Sequence, residues 1–401
     1  MLGSVGSWSK WAFLGAFSCA ALSGGNAHAA EKPLVVAAPA VTTGAVAAAT
    51  ASARPRIEVM FVLDTTGSMG GLIEGAKRKI WSIADELASA DPAPELRVGL
   101  IAYRDRGDAY VTQRFDLTSD LDALYDHLHA LTADGGGDEP ESVNQALHEA
   151  VTSTQWSSGP GVYRTVFLVG DAPPHMDYDH DVPYTKTVAD ANKRGIVLNT
   201  VQCGDLDGTK SVWTRIAQRT QGTYAAIEQS GGMVAIAAPQ DADIARLNAE
   251  LADTVVAYGD AEQVKSVRSK ASLAKSAPVE ANAARLSYLK KSDSGVVTGG
   301  GDLVDDVRKG KVALEAVPQA QLPAELQGRS RDEQKAALKE HAEKRAKLQS
   351  ELDQLVKARA SYVKAEEKKM SATGKGDGFD AKVKHAVKEQ AAAAAGLSYH
   401  D

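Results

Sequence analysis

The chain has 401 residues, of which 44% are hydrophobic and 5% aromatic, and its formal net charge at pH 7 is −7. The length predicts more than one structural unit, and the hydrophobic content is that of an ordinary globular protein. The charge is unevenly divided, with −13 on residues 1–260 and +6 on residues 261–401. In the basic part, charges of both signs alternate, which is typical of a solvated helical surface and argues against a nucleic-acid-binding protein.

The first 30 residues have the pattern of an export signal. Lys10 precedes an apolar stretch at residues 11–22, and Ala27-His28-Ala29 matches the small-x-small pattern of a cleavage site. The alternatives are an uncleaved anchor and a lipoprotein modified at Cys19, but the stretch is short for a membrane span and residues 16–18 match a lipobox poorly. We therefore expect a signal peptide at residues 1–30, a periplasmic or secreted mature protein, and no stable membrane span after cleavage.

The first element of the mature chain carries the first candidate site residues. Residues 31–55 are rich in Ala, Val, Thr and Pro and predict a flexible linker. Residues 57–63 are apolar except for Glu58, which predicts a parallel strand buried on both faces. Asp64-Thr65-Thr66-Gly67-Ser68 follows directly. Ligands of open α/β sheets bind at the carboxyl ends of the strands, and a carboxylate with two hydroxyls there suits a hard cation such as Mg²⁺.

Two helices and two strands are predicted next. Ile73, Ala76 and Ile80 recur at three- and four-residue steps, which gives the first helix an apolar face. The predicted elements are a helix at residues 69–88, a strand at 96–103, an edge strand at 111–117 and a helix at 121–131.

Two further loops carry oxygen-bearing side chains. The loop at residues 134–141 has three glycines, which permit a tight turn, and Pro140 suits the first turn of a helix predicted over residues 140–154. A buried strand at residues 166–170 then ends in Asp171. Asp138 in the second loop and Asp171 in the third could converge with the first loop on one ion.

The next predicted elements continue the alternation of strands and helices. Helices are predicted at residues 184–194, 211–220 and 241–258, and strands at residues 196–202 and 222–227. This order predicts an α/β fold with a doubly wound, mostly parallel sheet flanked by helices. Cys203 is the only cysteine left after signal cleavage, so an intramolecular disulfide is excluded and we expect a buried free thiol.

Residues 260–401 do not continue the alternation of strands and helices. Residues 260–330 predict a linker that is loose at 264–278 and has small strand-like pieces around Gly299-Gly300-Gly301. Residues 331–401 predict a charged helical region, with helices at 331–370 and 382–395. In the first of these helices, apolar residues at heptad-like spacing suggest a short coiled coil; they are Leu348, Leu352, Leu355 and Tyr362. The charged Arg359 falls on the same seam and argues against a coiled coil.

The three oxygen-bearing loops resemble those of a von Willebrand factor type A (VWA) domain. The metal-ion-dependent adhesion site (MIDAS) of that family has D-x-S/T-x-S on a first loop, Thr or Asp on a second and Asp on a third. Residues 103–108 and 170–175 also resemble bacterial and extracellular-matrix members of the family. The resemblance covers residues 56–259, and the matching site residues are Asp64, Thr66, Ser68, Asp138 and Asp171.

The resemblance implies a non-enzymatic, metal-dependent binding protein. The hydroxyls of Thr66 and Ser68 would ligate Mg²⁺, or Mn²⁺ or Ca²⁺, while Asp64 and Asp171 act directly or through water. A carboxylate of a partner protein would fill the open coordination position. Asp138 stands where the commonest family pattern has Thr, which makes the site more anionic and the cation a weaker Lewis acid.

Phosphotransfer is the main alternative. Residues 64–68 also resemble the nucleophile loop of haloacid-dehalogenase phosphatases and P-type ATPases, in which an Asp attacks phosphorus with the help of Mg²⁺. Those phosphatases have a second Asp at the position of Thr66, and those ATPases have Lys at the position of Thr65, so we expect no enzymatic activity. A third alternative is a structural envelope protein whose metal site is vestigial. His175 and His180 are expected to lie on the rim of the site rather than to bind metal.

Overall fold

The computed structural model describes residues 54–137, 139–292, 297–372 and 378–399. The predicted signal peptide, most of the predicted linker and Asp138 lie outside the described residues. None of the helices described is long and apolar enough to cross a membrane.

In this part of the chain six strands form one sheet in the order β3-β2-β1-β4-β5-β6. Neighbouring strands are parallel except for β2 and β3, which are antiparallel. The sheet therefore confirms the predicted mostly parallel arrangement and the antiparallel strand lies at its edge. The strands are β1 (Arg56–Asp64), β2 (Glu95–Tyr103), β3 (Thr112–Thr118), β4 (Val162–Gly170), β5 (Ile196–Cys203) and β6 (Tyr224–Ile227).

Helices cover both faces of the sheet, as expected for a doubly wound fold. They are α1 (Gly70–Leu87), α2 (Leu121–Ala130), α3 (Val143–Thr152), α4 (Tyr184–Arg194), α5 (Thr209–Gln218) and α6 (Asp241–Ala252). Side chains of β1 alternate between two cores: Phe61 belongs to the core that includes α1 and α2, and Val62 belongs to the core that includes α3, α4 and α5. This two-sided burial explains why β1 is an almost continuous apolar run.

The register of the parallel strands positions the site. Asp64, the last residue of β1, pairs with Tyr103, the last residue of β2. On its other side, Leu63 pairs with Val169, which is two residues before Asp171. Because parallel strands end at the same edge of a sheet, the first and third loops lie next to each other.

The C-terminal part of the chain is helical, and the two predicted helices of residues 331–401 are confirmed. Its helices are α7 (Ala261–Ser276), α8 (Val279–Lys291), α9 (Leu303–Arg308), α10 (Arg331–Ala372) and α11 (Phe379–Ala395).

Three predictions for residues 241–323 were wrong. Residues 264–278 are not loose but mostly helical, because Asp260 and Gln263 form a reciprocal capping box that starts α7. The described part of residues 297–323 forms no regular strand; Asp302 makes an isolated antiparallel bridge with Ala257 and caps α9. The helix predicted to reach residue 258 ends at Ala252, since Val256 is held in an extended segment by the side chain of Asp302.

Two helices of the C-terminal tail (residues 261–401), α8 and α11, share a core with the sheet. Phe379, Val383 and Val387 of α11 are buried in the same cluster as β1 and β4, and Tyr288 of α8 packs against Trp81 of α1 with ring centroids 5.7 Å apart. The last turns of α1 also carry ion pairs to both helices, between Asp85 and Lys291 (2.8 Å) and between Glu86 and Lys388.

Helix α10 lies against α6, so its apolar seam is used within the chain. Leu348 and Leu352 belong to a core cluster with α6, and Arg359, the charge on the seam, donates to Asp241 Oδ1 at 2.7 Å. Arg345 is buried between Asp302 and Asp305, at 2.6 and 3.2 Å. Tyr362 stays exposed.

Candidate functional site

Asp64 lies at the bottom of the site. Its side chain is fully buried, and its Oδ1 accepts hydrogen bonds from the backbone N–H (2.9 Å) and the hydroxyl (2.7 Å) of Thr66. Its Oδ2 is buried and has no hydrogen-bond partner among the described residues. Burial raises the pKa of Asp64 to about 7; the hydrogen bonds from Thr66 oppose this rise, the nearby carboxylate of Asp171 adds to it, and the backbone N–H of Asp171 opposes it to a lesser degree.

The hydroxyls of Thr66 and Ser68 lead from this buried carboxylate to the surface. Their oxygens are 3.4 Å apart, Thr66 is buried and Ser68 is exposed. Gly67 N–H donates to the Gly135 carbonyl at 3.2 Å, and Asp134 N–H donates to the Thr65 carbonyl at 3.1 Å. The backbone therefore ties the first loop to the second.

Asp171 is held by a residue that the sequence analysis missed. Gln229 follows β6 and donates from Nε2 to Asp171 Oδ2 at 2.7 Å, and the same nitrogen is 3.5 Å from the Ser68 carbonyl. No motif marks Gln229. Its position directly after a strand of the same sheet is the only sequence feature that places it at this edge.

Gly170 permits a close approach beneath the site. A Cβ at this position would lie 2.5 Å from the Tyr103 hydroxyl and 2.9 Å from Asp64 Oδ2. The Tyr103 hydroxyl is buried and has no hydrogen-bond partner in the described part of the chain. Burial raises the pKa of Tyr103 well above its usual value, and the neighbouring carboxyl groups of Asp64 and Glu141 raise it further.

Glu141 is a second residue that the sequence analysis left without a role. It is 4% exposed, and its Oε2 has no hydrogen-bond partner within the described residues. Burial raises the pKa of Glu141 to about 9, and the carboxyl groups of Asp64, Asp105 and Asp171 add to the effect. The backbone of Glu141 joins the second loop to the third, because its N–H donates to the Pro173 carbonyl and its carbonyl accepts from His175 N–H, both at 3.0 Å.

A polar network supports these loops from outside. Asp105 accepts from the hydroxyls of Ser142 (2.9 Å) and Tyr178 (2.8 Å), and Asp108 accepts from Gly136 N–H at 3.1 Å. His175 was expected on the rim, but it is 5% exposed and stacks on Tyr178 with ring centroids 4.1 Å apart. The expectation was wrong because the backbone bond to Glu141 draws His175 under the loop.

The donor set of the site is a mixture of hydroxyls and carboxylates. The described residues contain no group of three or more His, Cys, Asp or Glu side chains placed to hold a metal ion. What the structure brings together is Asp64 with the hydroxyls of Thr66 and Ser68, with Asp171 on the adjacent loop. Oxygen donors and an unpartnered buried carboxylate oxygen fit a hard divalent cation better than a soft one.

The same geometry is unfavourable for phosphotransfer. A nucleophilic Asp must reach a phosphorus atom, whereas the side chain of Asp64 is fully buried, so neither of its oxygens is open to a phosphate ester from solvent.

Comparison with known proteins finds one family model that matches the part of the chain containing this edge of the sheet. Residues 58–238 match the family model of the von Willebrand factor A domain. The von Willebrand factor A domain-containing protein 7 of Mus musculus is 35% identical over 120 residues, and that of Homo sapiens is 34% identical. The match covers 30% of this chain and 12% of each relative, so the chain spans about an eighth of their length. A putative ariadne-like RING finger protein of Acanthamoeba polyphaga mimivirus is 27% identical over 119 residues.

Among solved structures, this chain is similar to proximal thread matrix protein 1 from the mussel byssus. The identity is 17% and the TM-score 0.35, over 44% of this chain and 42% of that one. One structure of that mussel protein has a zinc-occupied MIDAS motif.

Proposed function

We propose that residues 58–238, which match the family model of the von Willebrand factor A domain, bind a partner protein through a divalent cation. The cation site consists of Asp64, Thr66, Ser68, Asp138 and Asp171. The observation that supports it best is the buried, unpartnered Oδ2 of Asp64 beside two hydroxyls that lead to the surface.

A cation would supply the missing partner of that oxygen. Leaving a buried carboxylate unpaired is costly, and a hard cation with oxygen ligands offsets the cost. Mg²⁺ is the expected ion, with Mn²⁺ and Ca²⁺ as alternatives. When bound, it offers a coordination position that a partner's Asp or Glu carboxylate can fill.

The residues around the cation set the access to it. Gln229 orients Asp171 through the 2.7 Å hydrogen bond, and the loops at residues 134–137 and 171–183 form the rim. Met176 on the third loop is 61% exposed and offers an apolar contact to a partner. Export to the periplasm or the cell exterior is part of the proposal and rests on the pattern of residues 1–30.

Calorimetric titration of the purified protein with Mg²⁺ and with Mn²⁺ tests the cation site. We expect saturable binding in the wild type and no measurable binding in Asp64→Asn, because the amide keeps the volume of the side chain but removes its charge. Asp179→Asn, an exposed position on the third loop, removes the same charge from the same edge of the sheet and should bind as the wild type does. Equal binding by the wild type and Asp64→Asn would refute the site.

Capture of partner proteins from envelope extract tests the function. The wild-type protein should retain a partner in Mg²⁺, lose it in EDTA and regain it when Mg²⁺ is restored, whereas Asp64→Asn should retain none in any buffer. Capture that is indifferent to both EDTA and the substitution would mean that binding does not use the cation.

A further inference from the structure

A groove with a volume of about 530 Å³ lies between α1 and the tail helices α8, α10 and α11, and none of its lining residues belongs to the proposed cation site. This volume is typical of a site for a small molecule. Ile236, Val356 and Val363 give the groove an apolar wall, while most of the other side chains that line it are polar or charged. One ligand could therefore make both apolar and charged contacts here.

Ion pairs account for part of the charge around the groove. Each pair joins one basic and one acidic side chain, so the paired groups add no net charge. The pairs are Arg78 with Glu280 (3.3 Å), Lys388 with Glu86, Lys291 with Asp85 (2.8 Å) and Arg359 with Asp241 (2.7 Å).

Three lysines of the groove remain unpaired. Lys79, Lys364 and Lys384 line it, and none of them forms an ion pair or a side-chain hydrogen bond with the described residues. In the same part of the chain Glu367 is the unpaired acid of the groove, so three positive charges face one negative charge and two positive charges stay uncompensated. A phosphate group carries about 1.5 to 2 negative charges at pH 7, which matches this excess better than the single charge of a carboxylate does.

Lys79 on α1 is the most unusual of the three lysines. It is 8% exposed, although its ammonium group has no partner in the described structure. A lysine that only covers apolar surface with its stem keeps its charged head in water. Burying a charge without a partner is costly, and an anion bound in the groove would supply that partner.

Two hydroxyl groups add hydrogen-bond donors to the groove. Ser82 on α1 and Ser287 on α8 line it and are half-buried, and neither hydroxyl is used in a hydrogen bond within the described residues. Ammonium and hydroxyl groups are both donors to phosphate oxygens, and lysine binds phosphate as a compact point charge. The donor set therefore suits the same ligand as the charge.

We propose that this groove binds a phosphate-bearing molecule. The three unpaired lysines and the two serine hydroxyls hold the phosphate group, and the apolar wall contacts the rest of the molecule. Because α1 forms one side of the groove and tail helices form the others, the bound molecule also strengthens the docking of the tail on α1. The cation site takes no part in this binding.

Calorimetric titration of the purified protein with inorganic phosphate in EDTA tests the groove. The wild type should bind phosphate saturably. Lys79→Met keeps an unbranched side chain but removes the charge, and it should weaken binding by about 10- to 100-fold, as expected for the loss of a hydrogen bond to a charged group. Lys347→Met removes the same charge from an exposed position of α10 outside the groove and should bind as the wild type does.

Vesicle sedimentation separates a soluble phosphate ligand from a lipid headgroup. Binding of inorganic phosphate that depends on Lys79 supports a soluble ligand. Retention on phosphatidylcholine vesicles only when they contain phosphatidic acid, and its loss in Lys79→Met, supports a lipid headgroup. The inference is overturned if the wild type binds neither probe, or if Lys79→Met binds each probe as tightly as the wild type does.

Thermal unfolding separates ligand binding from a structural role of Lys79. If Lys79 is an uncompensated charge that serves a ligand, Lys79→Met should raise the melting temperature in phosphate-free buffer and reduce the further rise caused by phosphate. A lower melting temperature of Lys79→Met with an unchanged response to phosphate would mean that Lys79 serves the fold alone, and would overturn the inference. Binding of Mg²⁺ by Lys79→Met should equal that of the wild type, so the result does not depend on the proposed cation site.

Discussion

Asp64 and Glu141 show how single residues at this edge of the sheet depart from ordinary surface carboxylates. Each has an oxygen that is buried without a partner in the described structure, and burial raises their pKa values to about 7 and about 9. An acid whose pKa is raised by folding favours the folded state fully below its unfolded pKa. That contribution is lost as the pH rises through the folded pKa.

The metal-free protein should therefore lose stability between about pH 4 and pH 9. For Glu141 the window runs from its ordinary value of 4.5 to about 9. Urea unfolding at pH 5, 7 and 9 should show that Glu141→Gln becomes more stable than the wild type as the pH rises, by at most about 1.4 kcal/mol per pH unit. A difference that is the same at pH 5 and pH 9 would contradict the buried, uncompensated state of Glu141.

The site residues differ in how far the sequence could reveal them. The position of Asp64, Thr66 and Ser68 at the carboxyl end of β1 was predictable because they follow an apolar run whose burial is a local pattern. Gln229 and Glu141 were not, because their roles depend on contacts across the chain: Gln229 reaches Asp171 over 58 positions, and the burial of Glu141 depends on where three loops meet. Periodicity and spacing contain no information about such contacts.

At the scale of elements, local sequence patterns predicted the elements of the sheet region better than those of the C-terminal tail. Strand and helix alternate in the first part of the chain with clear apolar patterns, so their order was predictable. Helix α7 was missed because its sequence is rich in Lys and Ser and its start depends on the capping box of Asp260 with Gln263. That α11 packs on the sheet could not be predicted, because its short apolar stripe does not identify the surface it covers.

Truncating Phe379 should show how much α11 contributes. Its ring is 2% exposed and lies 5.9 Å from the ring of Phe61 on β1. Phe379→Ala should lower the free energy of unfolding by about 3–5 kcal/mol, the usual cost of removing a buried phenyl ring. His385→Ala, an exposed position on the same helix, should change it by less than about 0.5 kcal/mol. Equal stability of the two variants in urea would show that α11 is not docked on the sheet.

At the scale of the whole molecule, the charge division near residue 260 does not coincide with a division of the core. The division of the chain into residues 56–259, 260–330 and 331–401 stays a prediction about independent folding. Residues 52–401, however, form one compact unit, and tail helices α8 and α11 bury side chains against the sheet.

We therefore expect a fragment of residues 54–259 to be less stable than residues 54–401. Without the tail, the fragment would expose the apolar surface that α8 and α11 cover, and such surfaces promote aggregation. Circular dichroism during urea unfolding, together with size-exclusion chromatography, compares the two. A monomeric fragment with an undiminished unfolding midpoint would establish residues 56–259 as an independent domain, as the sequence predicts.

Helix α1 connects the proposed cation site to two helices of the C-terminal tail. Its 18 residues, roughly 27 Å at 1.5 Å per residue, form one unbroken rod that begins beside Ser68 and ends at the ion pairs of Asp85 and Glu86 with α8 and α11. If docking of the tail tightens the hold on the cation by some factor, the cation must tighten the docking of the tail by the same factor. Under that condition, a cation bound beside the first turn of α1 would strengthen the contacts that Lys388 makes at the other end of the helix.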